Sequence, residues 1–191
     1  MNLIAAVYSP SRRWAFVIVF VLMTVSLIAL VWASFTSPMV RVIYNASDSV
    51  PMGWYRVMPL DAASTPLPDA IPVDSIVLTR LPVSVATLAD QRGYLPLQVP
   101  LLKRVGAVAP QHVCITGDTV HVDGVPVASV LPSDAVGRSM PAWQQCRRLI
   151  DGELFLLSDT NPASFDSRYF GPVSREDVLG IAQRLNLGLT P

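Results

Sequence analysis

The chain has 191 residues, with 14 Lys+Arg and 14 Asp+Glu, so its formal net charge is zero. That balance excludes the basic field of a nucleic-acid binder. The length suits one domain with a real core plus a small appendage, and the 17 prolines favour a loop-rich β protein over a helical bundle.

The first predicted element is Trp14 to Phe35, which carries no charge. At about 1.5 Å per residue it reaches roughly 33 Å, the thickness of a bilayer core. Arg12 and Arg13 precede it, and the next charge is Arg41. The positive flank predicts residues 1–13 in the cytoplasm, 14–35 as a transmembrane anchor and 36–191 across the membrane. A cleaved secretory signal is the competing reading, with Val31-Trp32-Ala33 as a loose cleavage site. The apolar run is longer than the roughly 7–15 residues of such a signal.

Val40 to Tyr44 reads as a strand and Trp54 to Met58 as another. Between them lies Asn45-Ala-Ser-Asp-Ser-Val-Pro-Met-Gly53, which holds Ser47 and Ser49 beside the backbone-shaping Pro51 and Gly53. A serine in such a turn is a candidate nucleophile, although most turn serines only bond local backbone. Its hydroxyl needs a base. The prolines at 59, 66, 68 and 72 predict a loop over 59–74. Asp74 to Arg80 follows as a strand, then a short helix from Ser84 to Arg92, capped by Ser84 and stopped by Gly93.

Leu101 to Val108 reads as a strand whose period of two puts Leu101, Lys103, Val105 and Ala107 on one face. A lysine on that face loses solvation, which favours its neutral amine. A neutral amine can take a proton from a serine hydroxyl, whereas guanidinium cannot. The competing reading is a lysine that snorkels out or pairs with a carboxylate.

Val113 to Val130 reads as a β-hairpin, since Thr119 to Val127 alternates about Asp123-Gly124, a strong turn signal. Cys114 and Cys146 flank this region, and outside the cytoplasm such a pair is most simply a disulfide. The runner-up is a metal site from His112, Cys114, His121 and Cys146, whose spacing matches no recognised zinc pattern. A Ser-His-Asp triad is a further alternative. The hairpin alternation, however, leaves His121 exposed on the surface. Glu153 to Ser158 is predicted as a buried strand. The polar, aromatic loop from Asp159 to Val173 offers Asp166 and Arg168 as a buried ion pair, and Ser164 and Ser167 as orienting hydroxyls. Val178 to Arg184 closes the domain as a strand.

Three boxes stand in order behind the anchor: Ser49-Val-Pro-Met-Gly-Trp-Tyr55, Leu101-Leu-Lys-Arg-Val105 and Ser164-Phe-Asp-Ser-Arg-Tyr-Phe-Gly171. Together they resemble the type I signal peptidase family, which uses a Ser–Lys dyad. With Asn45 upstream, they look most like its TraF-type, conjugative-transfer branch. The resemblance covers about residues 40 to 185. It implies a mostly β, antiparallel domain behind one N-terminal transmembrane helix, on the periplasmic face of a bacterial inner membrane. By the same resemblance Ser49 is the nucleophile and Lys103 its base. Ser47 joins the Ser49 N–H in the oxyanion hole, Ser164 orients the lysine, and Asp166 and Arg168 brace the site.

No metal or other cofactor is implied. The partner is a peptide or protein substrate with a membrane segment, a pilin or a preprotein, and the pilin product is open to cyclisation. The alternatives are a general signal peptidase and a non-catalytic subunit of a transfer apparatus. Two departures from the general pattern stand out. Proline follows the serine one residue sooner than in Ser-Met-x-Pro, which favours the TraF branch. Pro110-Gln-His112 also replaces the usual Pro-Gly-Asp after the lysine strand.

Overall fold

The computed structural model describes residues 12–35, 42–60, 71–158 and 160–185. Residues 1–11 of the expected cytoplasmic segment, Val40 and Arg41 of the first expected strand, most of the proline-rich loop, and Asp159 lie outside them. The chain divides into two units, Met1–Met39 and Val40–Pro191.

The first unit contains helix α1 (Arg12–Phe35). Its stretch Arg13–Trp32 has a mean hydropathy of 2.8 and is long and apolar enough to cross a membrane. Thr24 turns its hydroxyl back onto the carbonyls of Phe20 and Val21, at 3.1 and 2.9 Å. This satisfies a polar group that hydrocarbon would leave without a partner.

The second unit is mostly antiparallel β. In chain order it has β1 (Val42–Asn45), β2 (Gly53–Pro59), β3 (Ile76–Thr79), α2 (Val83–Gln91), β4 (Leu101–Val108) and β5 (His112–Thr116). There follow β6 (Thr119–Val122), β7 (Val125–Ser129), β8 (Cys146–Arg148), β9 (Glu153–Leu157), α3 (Ser167–Phe170), β10 (Val173–Ser174) and β11 (Val178–Arg184). A seven-stranded sheet runs β1-β2-β11-β3-β4-β9-β10, and a four-stranded sheet runs β7-β6-β5-β8.

The large sheet is covered on both faces near its centre. Val77 and Val105 pack with Leu156 and Val173, while Leu78 and Leu102 pack with Val50, Tyr55 and Ala182. Two-sided burial explains why Leu101, Leu102 and Lys103 are all buried, where simple alternation exposes every second residue. A third cluster joins Val113, Val120, Trp143, Phe155, Phe165 and Tyr169, and so ties the small sheet to the large one.

The last strand does not close an edge. β11 inserts between β2 and β3. A Cβ at Gly180 would fall 2.4 Å from the Met58 carbonyl oxygen, so only glycine fits where β11 presses on β2.

Four expectations are corrected. The helix starts at Val83 with Pro82 at its N-cap and no side-chain cap, so Ser84 sits inside the first turn. Pro82 carries a fixed φ, here −52°, suited to entering a helix. The hairpin region is three strands with two turns, because Gly117 (φ 63°) turns the chain as well as Asp123-Gly124 (φ 50° and 83°). The loop after β9 contains the short helix α3, which Asp166 caps. His121 is half-buried, with its Nδ1 covered, at the point where the extra residue Val127 interrupts β7 and lays Pro126 opposite it.

Candidate active site

The turn between β1 and β2 is tied by Asn45, which is 7% exposed. Its Nδ2 donates to the carbonyls of Ser47 (2.8 Å), Val50 (2.9 Å) and Pro51 (3.4 Å). Its Oδ1 accepts the Ser47 N–H (3.2 Å) and the Ser47 hydroxyl (2.8 Å). Those three carbonyls fix the amide orientation, because only NH₂ can donate to them. The Tyr55 hydroxyl holds the Pro51 carbonyl at 2.6 Å. The knot presents Ser49 Oγ, 3.4 Å from Ser47 Oγ.

Lys103 comes from the middle of β4, opposite Val77 on β3, and is 1% exposed. Ser164, 6% exposed, lies between lysine and serine. Its Oγ accepts from Lys103 Nζ and is 3.1 Å from Ser49 Oγ. Residues 49, 103 and 164, from three separated segments, therefore meet at one hydroxyl.

Behind Ser164 is a buried ion pair, Arg168 at 2% exposure and Asp166 at 0%. Arg168 Nε reaches Asp166 Oδ1 at 2.7 Å, and an NH₂ group reaches Oδ2 at 2.7 Å. The same guanidinium donates to the Ser164 carbonyl (3.0 Å), and also to those of Ser129 and Pro162 (both 2.7 Å). Burial disfavours the Arg168 charge, but its hydrogen bonds to Asp166 more than restore it, so its pKa stands above the usual arginine value.

Asn45, Ser47, Ser49, Lys103 and Ser164 line a cleft of about 670 Å³, with the ion pair behind it. Its apolar wall includes Ile43, Leu78, Leu95, Val99, Leu102 and Phe165. At the rim, Asp134 accepts the Tyr94 hydroxyl at 2.5 Å and Arg138 Nε at 2.6 Å. Burial pushes the Asp134 carboxyl up, yet the bonds from Tyr94 and Arg138 outweigh it and hold the group well below the usual carboxylate range.

A scan of family models matches residues 11–185 to the signal peptidase, peptidase S26 model. The chain belongs to the signal peptidase S26 family. The match supports a serine peptidase in general terms. Among curated relatives, this S26 chain is 32% identical over 148 residues to a probable conjugal transfer protein TraF of Sinorhizobium fredii, covering 74% of each. It is 33% identical over 147 residues to a conjugal transfer protein TraF of Agrobacterium tumefaciens, covering 73% of this chain and 78% of that one. A signal peptidase I crystal structure from Enterococcus faecalis is similar at 20% identity and a TM-score of 0.37, over 59% of this chain and 97% of that one.

The other candidates lie elsewhere in this S26 domain. Cys114 and Cys146 are joined by a disulfide within the small sheet. Their sulfurs are thus bonded to each other, which removes them from the alternative metal site. His112 and His121 belong to the same small sheet, and neither lines the cleft.

Three contacts had no specific signal in the sequence. Ser158 donates its hydroxyl to the Ser49 carbonyl at 2.8 Å. Asp48 is clasped by Thr160, whose hydroxyl donates to the Asp48 carbonyl, and by Asn161, whose Nδ2 reaches Asp48 Oδ1 at 2.8 Å. The only available signal was the density of polar residues after β9.

Proposed function

We propose that this chain is a membrane-anchored Ser–Lys endopeptidase of a conjugative-transfer apparatus, which processes an exported, membrane-associated precursor, a pilin. The observation that carries the reading is the shared contact of the Ser49 hydroxyl and the buried Lys103 amine at Ser164 Oγ, on the floor of an apolar cleft. The TraF names of the relatives supply the biological setting.

In this mechanism Ser49 Oγ bonds to the scissile carbonyl carbon. Its proton passes to the neutral Lys103 amine, which Ser164 holds, and then to the departing amine. Removing an ammonium from water disfavours the charged form, so a lysine this deeply buried suits a base. The oxyanion is received by the Ser49 N–H and by the Ser47 hydroxyl. Asn45 Oδ1 accepts the one Ser47 hydroxyl proton, so that O–H must turn about its Cβ–Oγ bond to donate to the oxyanion. Asp166 and Arg168 brace Ser164. Water, or the N-terminal amine of the substrate, then releases the acyl group; the second route gives a cyclic product.

The proposed topology has residues 1–13 in the cytoplasm, 14–35 across the inner membrane and 36–191 on the periplasmic face. Enzyme and precursor then share one bilayer, which raises their effective concentration.

The test is incubation of the full chain in liposomes with a pilin precursor and, separately, with a general secretory preprotein. Product masses are read for both, with Ser49→Ala as control. Cleavage of the pilin precursor alone, lost in Ser49→Ala, is expected. Equal cleavage of both substrates points to a general signal peptidase, and an active Ser49→Ala variant overturns the mechanism. A periplasm-only reporter fused after Pro191 should be active, and activity of a cytoplasm-only reporter there overturns the topology.

A further inference from the structure

The two peptide units that flank the Ser49 Cα each have a carbonyl, and each carbonyl accepts a side-chain hydroxyl. Thr160 holds the carbonyl of Asp48, and Ser158 holds that of Ser49. A peptide unit is planar and trans, so its C=O and N–H point in opposite directions. Pinning the Asp48 carbonyl therefore fixes the direction of the Ser49 N–H, aiming it away from Thr160. A hydrogen bond accepted at a carbonyl also polarises the N–H of the same unit and makes it a stronger donor.

We propose that Thr160 is a positioning residue for the oxyanion hole, acting through the Asp48–Ser49 peptide unit, with Ser158 as its partner on the following unit. The inference rests on Ser49 being the nucleophile. Neither hydroxyl touches the substrate in this scheme.

Ser158 is itself anchored on both sides. Its Oγ accepts the Asn161 N–H at 3.0 Å while donating to Ser49, so the direction of its proton is set. Its own N–H donates to Asp166 Oδ2 at 3.0 Å. The buried ion pair thus reaches the nucleophile by two routes. One runs through the Ser164 carbonyl, and the other through Ser158 to the nucleophile's backbone. Asn161, holding Asp48 Oδ1, keeps the Thr160 segment against the serine turn.

The clasp does its work in the transition state, because the ground-state carbonyl asks less of the Ser49 N–H than an oxyanion does. Loss of the Thr160 hydroxyl should therefore lower kcat and leave KM in place.

The experiment compares wild type with Thr160→Val, Thr160→Ser, Ser158→Ala and Ser49→Ala, as full chains in liposomes with one precursor peptide. Thr160→Val is near-isosteric at an exposed position, so its thermal midpoint should match wild type. Its kcat should fall about tenfold, the worth of one ordinary hydrogen bond, at unchanged KM. Thr160→Ser should restore the rate, and Ser158→Ala should fall in the same sense. A wild-type kcat in Thr160→Val overturns the proposal. So does a loss shared between kcat and KM, or one that Thr160→Ser fails to rescue. If Ser49→Ala is itself active, the nucleophile assignment falls instead, and the two failures are told apart.

Discussion

Replacing Asp166 with Asn is the most exacting test of the ion pair behind the cleft. Each carboxylate oxygen accepts two donors: Oδ1 takes the Arg168 N–H and Nε, and Oδ2 takes the Ser158 N–H and an Arg168 NH₂. An amide placed either way round therefore turns an NH₂ towards two donors, and a flip brings no relief. The change also leaves a guanidinium that is 2% exposed without its counter-charge. Breaking one side of a buried pair costs about 3–5 kcal/mol. For a domain of this size that corresponds to a fall in thermal midpoint of about 6–20 °C. Against a total stability of about 5–15 kcal/mol, such a variant is close to unfolding. The assay is near-UV circular dichroism of the detergent-solubilised chain during a thermal scan, with far-UV signal as the check on cooperativity. Adding Arg168→Met should cost less than the sum of the two single changes, because the stranded charge is gone. A midpoint within about 2 °C of wild type for Asp166→Asn, below 1 kcal/mol on the same scale, refutes the reasoning. Strict additivity in the double variant refutes it as well.

Lys103→Arg keeps the charge but should abolish cleavage, and wild-type activity should rise with pH as the ammonium deprotonates; turnover of the variant near wild type ends the dyad assignment. Ser47→Ala should lower turnover by about 10²–10³ without loss of fold, and unchanged turnover removes Ser47 from the oxyanion hole. Replacing Cys114 and Cys146 by Ser opens a loop with a sequence separation of 32 and should cost roughly 2–4 kcal/mol in denaturant titration; an unmoved midpoint rules this out. The hydrogen bonds from Arg147 hold the Glu153 pKa below its usual value of 4.5. That pairing therefore lends stability in full above about pH 4.5, and loses it as pH falls through the lower folded value. Glu153→Gln should flatten stability over that acidic window, and an unchanged acid limb contradicts the assignment.

The alternation from Leu101 was enough to place Lys103 and Val105 on a buried strand face, but it does not run on to Ala107, because Gly106 is an extra residue opposite β9 and turns Ala107 to the other face. The burial of Leu102 was not legible, since it needs the knowledge that β4 lies between β3 and β9 with both faces covered. The disulfide and the Asp123-Gly124 turn were readable for local reasons of chemistry and φ. Ser158 and Thr160 were not, because their partners lie 109 and 112 residues away and a polar loop does not announce which carbonyl it will hold. Asn45 was visible only as a neighbour of the serines, and its knot of three carbonyls exists only once the turn is folded. The misplaced helix start has a local cause, since Pro82, with its fixed φ, leads into the helix at Val83 without any side-chain cap.

The insertion of β11 makes one strand the keystone of the large sheet. The hairpin that carries Ser49 joins the rest of the large sheet through β11 alone, because β2 has β1 and β11 as its neighbours. Until residues 178–184 zip into that slot, the strand bearing Lys103 has no hydrogen-bonded path through the sheet to the hairpin bearing Ser49. The cleft therefore depends for its assembly on a strand that lends it no side chain.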